Sequence, residues 1–229
     1  MMSSHINNLL RQAVTTFGSV KEVIPQNVEA LKYLLDRTSP SDIGFKDHVL
    51  LKPDIWRKTG KAPITYVDIY EDDILTIGVF VISPNMKLPL HNHPCMHGLI
   101  KVIGGTVKIN SYTVTEENGK SVVAHIHNPL IVSNADSSCI LGPLRENLHE
   151  IESVNGPAAF LDILAPPYDT QIPNGGTRKC TYFAPVKFLA EDSILLKKIK
   201  CPSWFTTDCY PYEGPRILDS IFFREDNNI

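Results

Sequence analysis

The chain has no uninterrupted apolar run approaching the roughly 18 residues of a membrane span, so no membrane partner is expected. Cysteine is scarce and odd in number, with Cys95, Cys139, Cys180, Cys201 and Cys209 far apart. No Cys-x-x-Cys pair occurs, which argues against a thiolate zinc knuckle. The spread also argues against a disulfide scaffold and suits reduced thiols in a cytoplasmic protein. An excess of one charge is missing too. With 22 Lys and Arg against 25 Asp and Glu, the net charge of −3 gives no reason to expect nucleic acid as a partner. No repeat of fixed period, low-complexity tract or linker divides the 229 residues, so residues 1–229 are expected to form one domain. Nothing in the pattern asks for a second chain, and a monomer is expected.

The N-terminal region, 1–45, reads as helical. Ile6, Leu9, Leu10, Ala13, Val14 and Phe17 recur at helical spacing, and a second helix is predicted from about Asn27 to Asp36 with Pro25 near its start. No acidic residue precedes Glu22, a faint likeness to a mitochondrial presequence. One arginine is too few for that, and a helix packed on the rest of the protein is the better reading.

From Ile64 the pattern becomes short β-rich runs separated by Gly, Asn, Asp and Pro. Strands are predicted at 64–69, 75–83, 99–103, 107–112, 122–127, 130–133, 139–141, 148–154, 158–164 and 180–189. Turn signals such as Glu117-Asn-Gly119 and Asn155-Gly156 fit an antiparallel sandwich or barrel over 60–229, with the helices packed outside.

The chemistry concentrates in Leu88-Pro-Leu-His-Asn-His-Pro-Cys-Met-His97. In an extended chain, positions i and i+2 share a face, so His91 and His93 can grip one metal ion. The best third ligand is His149. In Leu148-His-Glu-Ile-Glu-Ser-Val154 an inward His149 keeps Ile151 inside and both glutamates out, whereas the reverse register buries Glu150 and Glu152. His97 is placed to orient a ligand from behind or to pack in the cavity wall. Of the remaining histidines (His5, His48, His125 and His127), the pair His125 and His127 is the rival, but Asn128-Pro129 follows it and polar residues surround it. Asp162 stands in Ala158-Ala-Phe-Leu-Asp-Ile-Leu-Ala165, where every neighbour is apolar. Such a carboxylate needs a cation, a metal or several donors, or else backbone amides at a barrel corner.

These residues carry a family pattern. His91-Asn-His-Pro-Cys-Met-His-Gly-Leu-Ile-Lys-Val102 with Gly105-Thr-Val-Lys-Ile109 resembles the first metal-binding motif of the thiol dioxygenases of the cupin superfamily, the group of the cysteamine dioxygenases and plant cysteine oxidases. Leu148-His-Glu150, the segment Ala159 to Tyr168, Arg178-Lys-Cys-Thr-Tyr-Phe183 and Pro211-Tyr-Glu-Gly-Pro215 continue the likeness in order. The resemblance implies an all-β cupin double-stranded β-helix, a jelly-roll-like barrel, holding one Fe(II) per chain on His91, His93 and His149. It implies that Asp162 and Tyr182 handle the substrate, and that Cys180 and Tyr182 match a pair for which a thioether cross-link is proposed in animal members. Cys95 departs from the family, where Gly is usual, and adds a thiol behind the site. The glutamate of general cupin motifs is absent after His93, which favours the thiol dioxygenase branch.

The implied reaction adds both atoms of O2 to the sulfur of cysteamine, or of an N-terminal cysteine of a protein, to give a sulfinate. Oxidation of protein N-termini would in turn couple oxygen level to protein turnover. Two alternatives stand beside it: another metal-dependent cupin, such as an isomerase or a dioxygenase of non-thiol substrates, and a non-enzymatic cupin that binds or regulates.

Overall fold

The computed structural model describes residues 4–18, 23–47, 51–57, 60–173 and 175–218. His48 lies outside them. Two helices come first, α1 (His5–Phe17) and α2 (Pro25–Asp36), then short 3-10 turns at Pro40–Ile43 and Pro53–Arg57. The strands are β1 (Ile64–Glu71), β2 (Thr76–Ile82), β3 (Lys87–Asn92), β4 (His97–Gly104), β5 (Thr106–Asn118), β6 (Ser121–Ile126), β7 (Leu130–Ser133), β8 (Cys139–Leu141), β9 (Leu148–Ser153), β10 (Ala158–Ala165), β11 (Tyr182–Ala190), β12 (Ser193–Ile199) and β13 (Thr207–Cys209).

Amphipathic spacing explains the helices. Ile6, Leu9, Leu10, Ala13 and Val14 form one stripe of α1, and all five are buried. Pro25 opens α2, where its missing N–H has no helical partner to lose. Both helices lie on the outer face of a six-stranded sheet in the order β13-β1-β2-β10-β4-β8. Alternation along β10 makes this plain. Ala159, Leu161 and Ile163 pack under the helices, while Ala158 and Phe160 point into the barrel.

The second sheet runs β6-β12-β11-β3-β9-β5-β7. Its long strand β5 pairs first with β9 and then, from Tyr112, with β6, so that β6, β12, β11, β3, β9 and β5 close into a ring. Leu90, Val122, Ala124, Leu148, Phe183, Ile194 and Leu196 fill that ring. Leu88, Val107, Ile109 and Ile151 face the other way and meet Ile100, Val102 and Phe160 of the first sheet. The result is the cupin barrel, all-β, with the N-terminal helices outside.

The closing segment has a structural task. Asn7 of α1 donates to the Arg216 carbonyl at 2.9 Å and accepts from the Leu218 amide at 2.8 Å, strapping residues 216–218 to the helix. Gly44 turns in the left-handed region (φ 62°) with the Gly214 backbone against it, where any side chain would clash.

Two strands, β12 and β13, fall outside the sequence-based expectations, and β3 is expected only as the extended run that carries His91. Pro89 interrupts β3, the run Ile-Leu-Leu-Lys-Lys-Ile of β12 breaks alternation, and β13 is only three residues long and is held in parallel to β1.

Candidate metal centre

A bulge sets the centre. Along β3 and β9, Leu88 pairs with Ile151 and His91 with His149, so Pro89 and Leu90 on one strand stand opposite Glu150 alone on the other. Strict alternation from an inward Leu88 would turn His91 outward. The extra residue at Pro89-Leu90, where proline lacks the ladder donor, restores His91 to the inner face and sends Leu90 into the closed ring. His149 lies on β9 as expected, with Ile151 and Ser153 buried beside it; Glu150 pairs with Lys87 at 2.6 Å on the other face. Ser111 of β5 stands directly opposite His149.

His91, His93 and His149 are all buried, and their candidate ligand nitrogens lie within 4.8 Å of one another. Nε2 of His93 is 3.2 Å from Nε2 of His149. The other ring nitrogens show which atoms are free. Nδ1 of His91 is 2.7 Å from the Pro89 carbonyl, which only accepts, so this nitrogen carries the proton and Nε2 keeps its lone pair. The Tyr168 hydroxyl donates its single proton to the Asn92 carbonyl at 2.6 Å, so its oxygen accepts at 2.9 Å from Nδ1–H of His93. Burial lowers the pKa of all three imidazoles, and for His93 and His149 the neighbouring rings lower it further. Three neutral imidazoles with their ligand nitrogens gathered together, two of them with Nε2 left unprotonated, fit a divalent transition metal.

Tyr168 carries no assigned role in the sequence reading, although it closes the Ala-Pro-Pro-Tyr run; only the fold brings it to His93. Burial pushes its pKa well up, so it stays a neutral phenol. Tyr168→Phe removes the acceptor that fixes the His93 tautomer. Metal affinity is expected to fall roughly 10- to 100-fold with an unchanged far-ultraviolet spectrum, which titration of the metal-free protein checks.

Tyr168 also walls a cavity of about 270 Å³ with Tyr66, Gly78, Phe80, Asp162 and Leu164, and Glu71 and Asp169 stand in its lining; no basic residue lines it. Asp162 does not lie at a barrel corner. It sits in mid-strand between Gly78 and Ile100, and its buried Oδ1 has no hydrogen-bond partner. Burial raises its carboxyl to about 7. Gly78 makes room for this wall, because a Cβ there would lie 2.3 Å from the Tyr66 hydroxyl oxygen. A larger cavity, about 630 Å³ between Trp56, Met86 and Trp204, opens at the opposite end of the barrel and contains no histidine.

The remaining candidates separate. Tyr182 pairs with His91 in register, their rings 6.4 Å apart, and the Cys180 thiol interacts with the Tyr182 and Tyr168 hydroxyls. His97 does not orient a ligand. β4 points its odd positions outward, and the His97 ring packs 5.6 Å from Phe17 of α1. Cys95 is exposed in the turn after His93 at φ 54°, the left-handed region that glycine prefers. His125 and His127 lie at the end of β6 beside Asp192 and Glu146, outside the three-histidine group.

Fold and histidines together define a cupin barrel with a three-imidazole metal-binding group. The PCO_ADO family model matches residues 34–217, and the chain belongs to that family, which places it among the thiol dioxygenases. It is 33% identical to 2-aminoethanethiol dioxygenase of Homo sapiens and 32% to that of Mus musculus, in each case over 95% of this chain and 98% of the relative. Plant cysteine oxidase 1 of Arabidopsis thaliana is 31% identical over 70% of this chain and 56% of its own length.

Proposed function

We propose that this protein is an Fe(II)-dependent dioxygenase that adds both atoms of O2 to the sulfur of cysteamine, or of an N-terminal cysteine of a protein, giving a sulfinate. One observation carries the reading: a buried carboxylate without a partner, Asp162, faces an acid-lined cavity whose wall, Tyr168, bonds a histidine of the metal-binding group. Both substrates place an amine two carbons from a thiol, so one site with a carboxylate beside a metal suits either. The names of the relatives support the same substrate class.

Bound to His91, His93 and His149, Fe(II) would supply open coordination positions and the electrons through which a thiolate meets dioxygen. Three neutral ligands leave the full +2 charge for the thiolate to neutralise, unlike a site that contains a carboxylate. The Pro89 carbonyl and the Tyr168 hydroxyl hold the His91 and His93 rings in register. An arriving ammonium gives Asp162 its missing partner and holds it ionised, the displaced proton going to solvent. Phe80 and Leu164 keep the cavity wall apolar. The atoms balance without a further reductant: one thiol and one O2 give one sulfinic acid. Acting on protein N-termini, the enzyme would link oxygen supply to the fate of those proteins.

A cytoplasmic monomer is part of this reading. The five cysteines are all unpaired, and among the described residues no helix is long and apolar enough to cross a membrane.

The test is mass spectrometry of cysteamine, and of a peptide beginning with cysteine, after incubation in air with iron-loaded protein. A gain of two oxygen atoms on sulfur is expected, absent under anaerobic conditions. No gain on either thiol, with iron confirmed in the protein, would move the assignment to another cupin chemistry or to a binding role.

A further inference from the structure

β11 and β12 run antiparallel, and their last rung sets Tyr182 opposite Ile199. Both strands end at this rung, and Cys180 and Cys201 each lie two residues beyond it, where a continued register would set them opposite one another on the face of Tyr182. Side-chain contacts agree with the register. The Tyr182 hydroxyl interacts with both thiols, and the Cys180 thiol also with the Tyr168 hydroxyl. Tyr168 in turn meets Nδ1 of His93. A polar cluster of Cys201, Tyr182, Cys180 and Tyr168 therefore adjoins His93. Cys201 is exposed and Cys180 is half-buried. Were the register continued past the last rung, Cα atoms so opposed would lie about 4.5–5.5 Å apart, within the roughly 4.4–6.8 Å that a disulfide spans.

We propose that Cys180 and Cys201 are a reversible oxidation site, forming a disulfide at the expense of a low-molecular-weight disulfide such as glutathione disulfide. The exposed Cys201 thiolate attacks one sulfur of the oxidant, breaking its S–S bond and releasing one glutathione thiolate. Cys180 loses its proton and attacks the Cys201 sulfur, releasing the second. The two protein thiols lose two protons and two electrons, and the oxidant is reduced to two thiols. The new bond removes both S–H groups from the Tyr182 and Tyr168 hydroxyls, in the cluster that adjoins His93. It also excludes a thioether between Cys180 and Tyr182, because Cys180 has one sulfur to give.

The chain as it stands is treated with glutathione disulfide, alkylated and digested with trypsin, which cuts after Lys179, Lys187, Lys200 and Arg216. The expected product is the peptide 180–187 joined to 201–216, two hydrogen masses below the sum of its parts and separated by reductant. Cys209 shares the second peptide, so the link must persist in Cys209→Ser and vanish in Cys201→Ser. Several outcomes would overturn the proposal: glutathione retained on Cys201 with Cys180 alkylated, a link through Cys209, no link at all, or a Cys180–Tyr182 bond that resists reductant. Cysteamine turnover is followed in parallel, and this arm alone rests on the proposed function. In the wild-type chain turnover is expected to fall at least tenfold on oxidation and to return with reductant, while Cys201→Ser keeps its own starting rate. Equal loss in that variant overturns the link to the metal site. Absence of turnover before oxidation counts against the enzyme assignment, and the peptide result still decides the disulfide.

Discussion

His149→Ala is expected to abolish metal binding at micromolar metal and to lower thiol oxidation on the order of a thousandfold. The reason is the poverty of the ligand set. Three imidazoles converge, their candidate ligand nitrogens all within 4.8 Å of one another. Removing His149 leaves two, since Ser111 opposite it supplies only a weak neutral hydroxyl. The fold should survive, because the cavity left at one buried imidazole costs about 1–3 kcal/mol, and burial already keeps that ring neutral. Thermal melts separate the two effects. Metal at a hundredfold excess over its Kd stabilises the parent by about 2.7 kcal/mol and should leave the variant unmoved. A variant that melts normally, ignores metal and still oxidises thiols would place the chemistry elsewhere in the molecule.

Asp162→Asn has two expected effects with separate readouts. In metal-free protein, burial raises the carboxyl from 3.8 to about 7, so between these values the folded chain keeps a proton that the unfolded chain has lost. The folded state then loses stability as pH rises through that window. The loss totals roughly 4 kcal/mol and levels off above about 7. Asparagine has no such titration. The stability of the variant minus that of the parent should therefore climb by about this amount from pH 4 to pH 8, measured by denaturant unfolding with chelator present. A flat difference would mean that Asp162 is solvated or paired. On the functional side, loss of the partner for an ammonium should lower kcat/KM for cysteamine roughly a hundredfold, the worth of one buried charged hydrogen bond. A thiol without an amine should distinguish parent from variant far less. Equal losses on both thiols would assign Asp162 a structural task.

The histidine pair was legible because its spacing matches a strand period, and His149 because only one register of Leu148–Ser153 keeps glutamates out of the core. The local pattern does not by itself aim His91 inward. Alternation from Leu88 gives the wrong face, and the bulge that corrects it is visible only once β3 and β9 are paired. His97 failed for the same kind of reason. It lies close to His93 in the chain, yet the outward phase of β4 and the helix above it place its ring against Phe17. The helices and most of the strands followed from period and turn residues. β12 and β13 did not, since double lysine and three-residue length leave no periodic signal.

By itself the sequence determined a β-rich barrel with helices at its N-terminus, three histidines fit for one metal, and a carboxylate too costly to bury without purpose. These follow from side-chain period and the price of burying charge, which are local properties of the chain. The tertiary structure alone decided that Tyr168 fixes the His93 tautomer, that Asp162 faces a cavity without a partner, and that the ends of β11 and β12 bring Cys180 and Cys201 to the same tyrosine. Each depends on pairing between segments far apart in sequence, and no local pattern encodes which strand will lie beside which.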